Sequence, residues 1–185
     1  MKLIKFLIII FISLPSTIKA DLNENLTNKL KEGGKLIFIR HAIAPGGGDP
    51  ENFDINECNT QRNLDNNGRT QAKEIGNYLS SNNILIDKVI SSEWCRCKET
   101  ALLAFNKFET KSFLNSFYSS KFIKNKDRQI KELKMYIKNW ESKKNLVLVT
   151  HYVVISEMLD YNPSSGEIVI SDRNFKKLGN INIKY

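Results

Sequence analysis

Two histidines make up the whole imidazole complement of this 185-residue chain, and both stand at the same kind of place. His41 follows Arg40 at the end of the apolar run Leu36-Ile37-Phe38-Ile39, and His151 follows Leu146-Val147-Leu148-Val149-Thr150. The first run is bounded by Gly33-Gly34 and by Pro45-Gly46-Gly47-Gly48. A short apolar run between such turn-formers predicts a strand buried on both faces. Parallel sheets bind ligands outside the carboxyl ends of their strands, so both imidazoles are delivered to the edge where chemistry takes place. A third group joins them: Arg96 falls in the first turn of a helix expected after the strand Lys88-Val89-Ile90-Ser91, where free N–H groups and the dipole favour anions. Imidazoles beside guanidiniums suit phosphate chemistry. A neutral imidazole can attack phosphorus while guanidinium forks neutralise the oxygens.

The elements that must position these residues alternate along the chain. Leu22 to Glu32 predicts a helix ahead of the first strand. Asp65 is placed to cap a second helix that runs to about Ser80, with Ala72, Ile75, Gly76 and Leu79 on one face. Ser92 is expected to cap the helix that carries Trp94, Cys97 and Ala101. Beyond the undecided stretch from Phe108 to Phe122, a helix is expected from Asp127 to Lys143. Strands from Glu167 to Ser171 and from Asn180 to Lys184 then flank a turn at Asp172-Arg173-Asn174. The alternation predicts an α/β fold, a three-layer α/β/α sandwich with a largely parallel central sheet.

Residues 1–20 read separately from the rest. Lys2 and Lys5 precede the apolar run Phe6 to Ile12, Pro15 breaks it, and Ala20 ends a cleavage-site pattern. The run is well short of the roughly 20 residues of a spanning helix, so residues 1–20 are read as a signal peptide and 21–185 as one domain, with an uncleaved anchor as the alternative. The leader holds three lysines and no acid, so its removal takes the net charge from +8 to +5. That mild excess falls short of a nucleic-acid-binding signature. The lysines from Lys121 to Lys144 are interrupted by Ile130, Leu133, Ile137 and Trp140, the spacing of a core-packed helix with a solvated basic side. The glycine loop before Asp49-Pro50 is not a P-loop, because no Lys-Ser/Thr follows it.

With these residues in place, the chain resembles the histidine phosphatase (phosphoglycerate-mutase-like) superfamily, and within it the branch of small SixA-type phosphatases. The resemblance covers most of residues 21–185. It rests on Arg40-His41, on Arg62-Asn63-Leu64 with Gly68 and Gln71-Ala72, on Ser92 with Arg96, Thr100 and Ala101, and on Thr150-His151. It implies that His41 is the phosphorylated nucleophile, that Arg40 and Arg96 bind the phosphoryl group, that His151 completes the pocket, and that Arg62 contributes to substrate binding. It also implies no metal and no cofactor.

Three positions depart from the superfamily pattern. Ala42 stands where Gly is usual, a small change. Tyr152 follows the second histidine in place of Gly, and could wall the pocket. Ser116, in Leu114-Asn115-Ser116-Phe117, occupies the place of a catalytic Glu. Cys58, Cys95 and Cys97 admit a zinc site with a histidine, or one disulfide with a spare thiol. Cys97 shares the buried face of its helix, at a position usually Ala in the superfamily, so Cys58–Cys95 is the expected pair. The sequence thus predicts an exported phosphomonoesterase, periplasmic or secreted. Its expected partner is a small phosphorylated substrate or a surface phosphate group, with no nucleic acid and no stable membrane insertion after cleavage. A protein phosphohistidine phosphatase and a catalytically weak phosphate-binding protein are the alternatives.

Overall fold

The computed structural model describes residues 17–185, with side chains from residue 23 onward. The expected leader, residues 1–20, therefore lies largely outside the described residues. Six strands form one sheet: β1 (Leu36–Arg40), β2 (Ile86–Ser91), β3 (Glu109–Thr110), β4 (Asn145–Thr150), β5 (Ile168–Ser171) and β6 (Lys177–Ile181), in the order β3-β2-β4-β1-β5-β6. The first four of that order are mutually parallel, and β5 and β6 close the sheet as an antiparallel hairpin.

The alternation of side chains along β1 and β4 divides the core in two. Leu36, Phe38, Leu146 and Leu148 point to the face covered by α4 (Lys126–Lys138) and α5 (Tyr152–Leu159). Ile37, Ile39, Val147 and Val149 point to the opposite face, covered by α1 (Thr17–Glu32), α2 (Asn66–Ser81) and α3 (Cys95–Phe105). The three-layer sandwich with a mostly parallel sheet is thus the observed architecture. Among the described residues no helix is long and apolar enough to cross a membrane.

Several boundaries differ from expectation for physical reasons. Asp65 caps α2 as predicted, its Oδ1 accepting from the Gly68 N–H at 2.7 Å. Ser92 does not cap α3, which starts three residues later behind Trp94. The Ser92 hydroxyl is instead bonded to Asn115 and His151. Helix α4 ends at Lys138, short of the expected Lys143. Trp140 remains buried beyond the helix, donating Nε1–H to Asp87 and lying under the Arg173 guanidinium. Strand β6 begins three residues before the expected segment, pairing Ile181 with Ile168. Helix α5 has no counterpart among the expected elements. Its eight residues are too few, and too uniformly apolar at Val153, Val154 and Ile155, to show helical periodicity.

Candidate active site

The register of the two central strands brings the histidines together. Arg40 is opposite Thr150, so His41 and His151 leave the sheet side by side, and the His41 N–H donates to the Thr150 carbonyl at 2.9 Å. Their ring centroids are 5.5 Å apart in an edge-on arrangement, and each residue is 2 % exposed. The Nδ1 of His41 lies 2.8 Å from the Ala42 carbonyl. A carbonyl can only accept, so Nδ1 carries the hydrogen and Nε2 keeps the lone pair a nucleophile needs. His151 is fixed the opposite way. Ser92 donates its hydrogen to Asn115 Oδ1 at 3.0 Å, which leaves the Ser92 oxygen to accept from His151 Nε2–H at 3.0 Å. Burial, reinforced by the charge of Arg96, holds both imidazoles well below their ordinary pKa of 6.5. Both are neutral at neutral pH.

Three guanidiniums converge on the same cleft. Arg40 donates from Nη1 to the Pro163 carbonyl at 2.8 Å, and its head lies 5.3 Å from the centre of the Tyr152 ring. Arg62 donates to the Ala44 carbonyl. Arg96, only 4 % exposed, places Nη1 and Nη2 at 2.7 and 3.2 Å from the two carboxylate oxygens of Asp49. The Nε atoms of all three arginines are buried without a hydrogen-bond partner. Burial lowers the pKa of Arg40 and Arg62, and the positive charge of Arg96 adds to the effect. Such unmatched, desolvated donors favour an anion with more acceptor atoms than one carboxylate supplies. Burial alone would raise the Asp49 carboxyl pKa. The hydrogen bonds and charge of Arg96 outweigh it, helped by Trp94 Nε1–H at 3.0 Å and the Arg62 N–H at 3.0 Å, so the pKa is lowered overall and Asp49 is ionised.

The remaining motif residues hold this arrangement. Thr100 accepts from the Ala42 N–H at 3.0 Å and donates to the Arg96 carbonyl at 2.7 Å, tying the His41 loop to α3. Gln71 accepts from the Ile43 N–H and donates to the Ser165 carbonyl. Gly68 lets α2 approach that loop, since a Cβ there would meet the Ile43 carbonyl oxygen at 2.0 Å. Ala42, in place of the usual Gly, is fully buried against Ala44, Leu64 and Ala72. A Cys58–Cys95 disulfide fastens the loop before α2 to the first residue of α3, and Gln61 Oε1 accepts the Cys95 N–H. The disulfide removes two of the three thiols that a zinc site would have needed. Cys97 is free and buried, and burial pushes its thiol up to about 12, so it stays protonated 3.5 Å from His151 Nε2.

The cleft over these groups has a volume of about 470 Å³. Its base holds Arg40, His41, Arg62, Arg96 and His151, the five catalytic and substrate-binding residues expected from the sequence. Tyr152 and Tyr118 line one side, the glycine loop Gly46 to Gly48 forms the lip, and Ser116, which the resemblance set at the place of an acid, lines the cleft as well. Two features of the cleft lie beyond the reach of the sequence pattern. The first is the start of α5 immediately after His151, a second helix N-terminus at the same edge. The second is the pairing of Asp49 with Arg96 across 47 residues, for which the sequence holds no local signal.

Comparison with known proteins places this geometry. No family model matches the chain. Over 90 residues, 49 % of its length, it is 34 % identical to the mitochondrial serine/threonine-protein phosphatase Pgam5 of Drosophila mojavensis. The match spans 27 % of that protein, so the chain covers only about a quarter of its relative. The protein histidine phosphatase SixA, solved with tungstate, superposes with a TM-score of 0.53 at 14 % identity, covering 80 % of this chain and 96 % of SixA. A putative alpha-ribazole-5′-P phosphatase from Escherichia coli superposes with a TM-score of 0.57 at 14 % identity, over 75 % of this chain and 90 % of that one. The chain shares the fold of these solved phosphatases, and its own two histidines and three arginines meet at the carboxyl edge of the sheet.

Proposed function

We propose that the chain is a phosphomonoesterase that works through a covalent phosphohistidine on His41. The observation that carries this reading is the pair of neutral, buried imidazoles at adjacent strand ends, ringed by three arginines whose Nε donors lack partners. His41 Nε2 attacks phosphorus. Arg40, Arg62 and Arg96 bind the non-bridging oxygens, and water then releases inorganic phosphate from the histidine. In this reading the arginines supply all the positive charge, so activity should survive chelation by EDTA. The tungstate in SixA, a phosphate-shaped oxyanion, supports the same use of this fold. We also place the protein in an oxidising compartment, periplasmic or secreted, on the strength of the Cys58–Cys95 disulfide and of residues 1–20.

The test is chemical trapping. Enzyme quenched during turnover of an aryl phosphate should carry base-stable, acid-labile phosphate on His41. His41→Ala should lose that label and about 10⁶-fold in rate, the order seen when a covalent nucleophile is removed. Label retained in His41→Ala would place the nucleophile elsewhere. Tight phosphate binding without turnover would favour the second reading, a phosphate-binding protein, which Ser116 at the place of the acid supports.

A further inference from the structure

Departure of an alkoxide from phosphorus needs a proton, and the cleft offers few sources. Ser116 cannot supply one at neutral pH. His151 is neutral, and its Nε2–H is committed to Ser92. Cys97 is buried behind His151. Two carboxylates line the cleft, Asp49 and Glu51; Asp49 is the one that touches an arginine of the phosphate cradle, and it reaches Arg96 from the lip, at the end of three successive glycines. One of these, Gly46, has φ +104°, a conformation that side-chain-bearing residues rarely adopt. The carboxylate grips the guanidinium through both oxygens, the contact a phosphoryl group would make. Asp49 and a bound phosphate thus compete for one fork.

We propose that Asp49 is a further catalytic residue: it occupies Arg96 until a phosphate displaces it, and then serves as the proton donor to the leaving oxygen. This deepens the phosphatase reading and rests on it. Displacement changes the chemistry of the carboxyl group. Bound to Arg96, it is stabilised as an anion. Displaced beside a phosphate dianion, it loses that partner, gains a like-charged neighbour, and takes up a proton from solvent. As His41 Nε2 bonds to phosphorus and the P–O ester bond breaks, the Asp49 proton passes to the departing oxygen, which leaves as a neutral alcohol. The resulting carboxylate then accepts a proton from the water that attacks the phosphohistidine. Histidine and carboxyl group return to their starting states with one ester and one water consumed.

Asp49→Asn separates the two roles, because it keeps a side chain of the same shape but removes the charge and the proton. Orthovanadate, a phosphate mimic, should bind this variant several-fold more tightly than the unaltered chain, since the competing anion is gone. In single-turnover phosphorylation of His41, which stops short of the hydrolysis step shared by all esters, the variant should lose on the order of 10²-fold in rate on esters with poor, alkyl leaving groups. On esters with good, aryl leaving groups the loss should be far smaller, so its rates depend more steeply on leaving-group pKa. An equal loss of phosphorylation rate on alkyl and aryl esters would show a positioning role and overturn the proposal, as would an unchanged phosphorylation rate on alkyl esters or weaker vanadate binding. Should Asp49→Asn fold poorly, the alkyl-to-aryl rate ratio of Asp49→Ala distinguishes the same outcomes, because misfolded protein lowers both rates together. If the unaltered chain binds vanadate but hydrolyses no ester of either kind, the phosphatase reading itself fails. The displacement half is then still decided by the vanadate affinities.

Discussion

His41 and His151 are reached by chain that has just left two central strands, whereas Asp49 and Arg62 are reached through a loop whose one regular piece is a 3₁₀ turn at Cys58–Thr60. The histidines are held from every side: by the β1–β4 register, by Thr100 and Gln71 on the loop after His41, and by Ser92 on His151. The loop depends on long-range ties, namely the disulfide, the Gln61 contact with Cys95, and the Asp49 contacts with Trp94 and Arg96. The floor is preorganised by the fold, while the lip is attached to it at a few points. In our reading Arg40 and Arg96 stabilise charge on phosphorus from the first, Arg62 reaches in from the second, and a group that must change partners during turnover belongs on the second.

Arg96 stands where floor and lip meet, and short of the nucleophile itself its removal should have the largest effect. Arg96→Ala deletes the buried fork that we assign to the phosphoryl oxygens. The expected loss is about 10²–10³-fold in kcat, the range for removing one donor of a preorganised charge clamp. The same change frees Asp49 and leaves a half-buried carboxylate without its cation. Stability should therefore fall too, most at neutral pH where Asp49 is ionised. Steady-state kinetics with parallel denaturant titrations read both. A variant with unaltered kcat/KM would remove Arg96 from the phosphate cradle.

The contrast between floor and lip also explains what the sequence made legible. His41, His151 and Arg96 each sit one to five residues past a short strand, so local pattern and the geometry of parallel sheets suffice to bring them to one edge. The motif residues Gly68, Gln71 and Thr100 acquire a physical meaning only in the structure, where all three act on residues 42–43. The Cys58–Cys95 pairing followed from the helical face of Cys97, and the structure contains it. Tertiary packing decided the rest. The end of α4 is set by Trp140 finding Asp87 and Arg173, and α3 starts late because Ser92 is engaged by Asn115 and His151. The grip of Asp49 on Arg96 depends on the path of a glycine loop that no periodicity encodes.

Cutting the covalent tie tests the lip by itself. The disulfide closes a loop across 37 residues, so Cys58→Ser should cost about 4 kcal/mol of stability on the chain-entropy model. Since the tie lies outside the strand-end cluster, phosphohistidine should still form on His41 in the folded fraction. The expected kinetic changes are a several-fold rise in KM as Arg62 loses definition and a several-fold slower reaction on alkyl esters as Asp49 does. Thermal unfolding with and without reductant, set beside phosphohistidine trapping, measures both effects. Loss of labelling in folded Cys58→Ser protein would show that the floor is not preorganised independently of the lip.

The smallest effect belongs to the floor and is read through pH. Both histidines are neutral when folded, because burial and then the charge of Arg96 hold their pKa well below the ordinary 6.5, whereas the unfolded chain protonates them near that value. The unfolded state therefore binds more protons than the folded state once the pH falls below about 6.5, and stability declines from there down to the folded-state pKa. Each pH unit in that window costs at most about 1.4 kcal/mol per histidine. Asp49 does not add to this slope, since its folded pKa is shifted downward and its contribution is lost only at more acidic pH, below the ordinary carboxylate value of 3.8. Chemical denaturation in steps from pH 7 to pH 5 should thus show a steady loss in the unaltered chain. His151→Gln, which can still donate to Ser92 but does not titrate, should show about half the slope. An identical slope in both proteins would mean that His151 is charged in the folded state, and that the floor holds an imidazolium able to protonate the leaving group without Asp49.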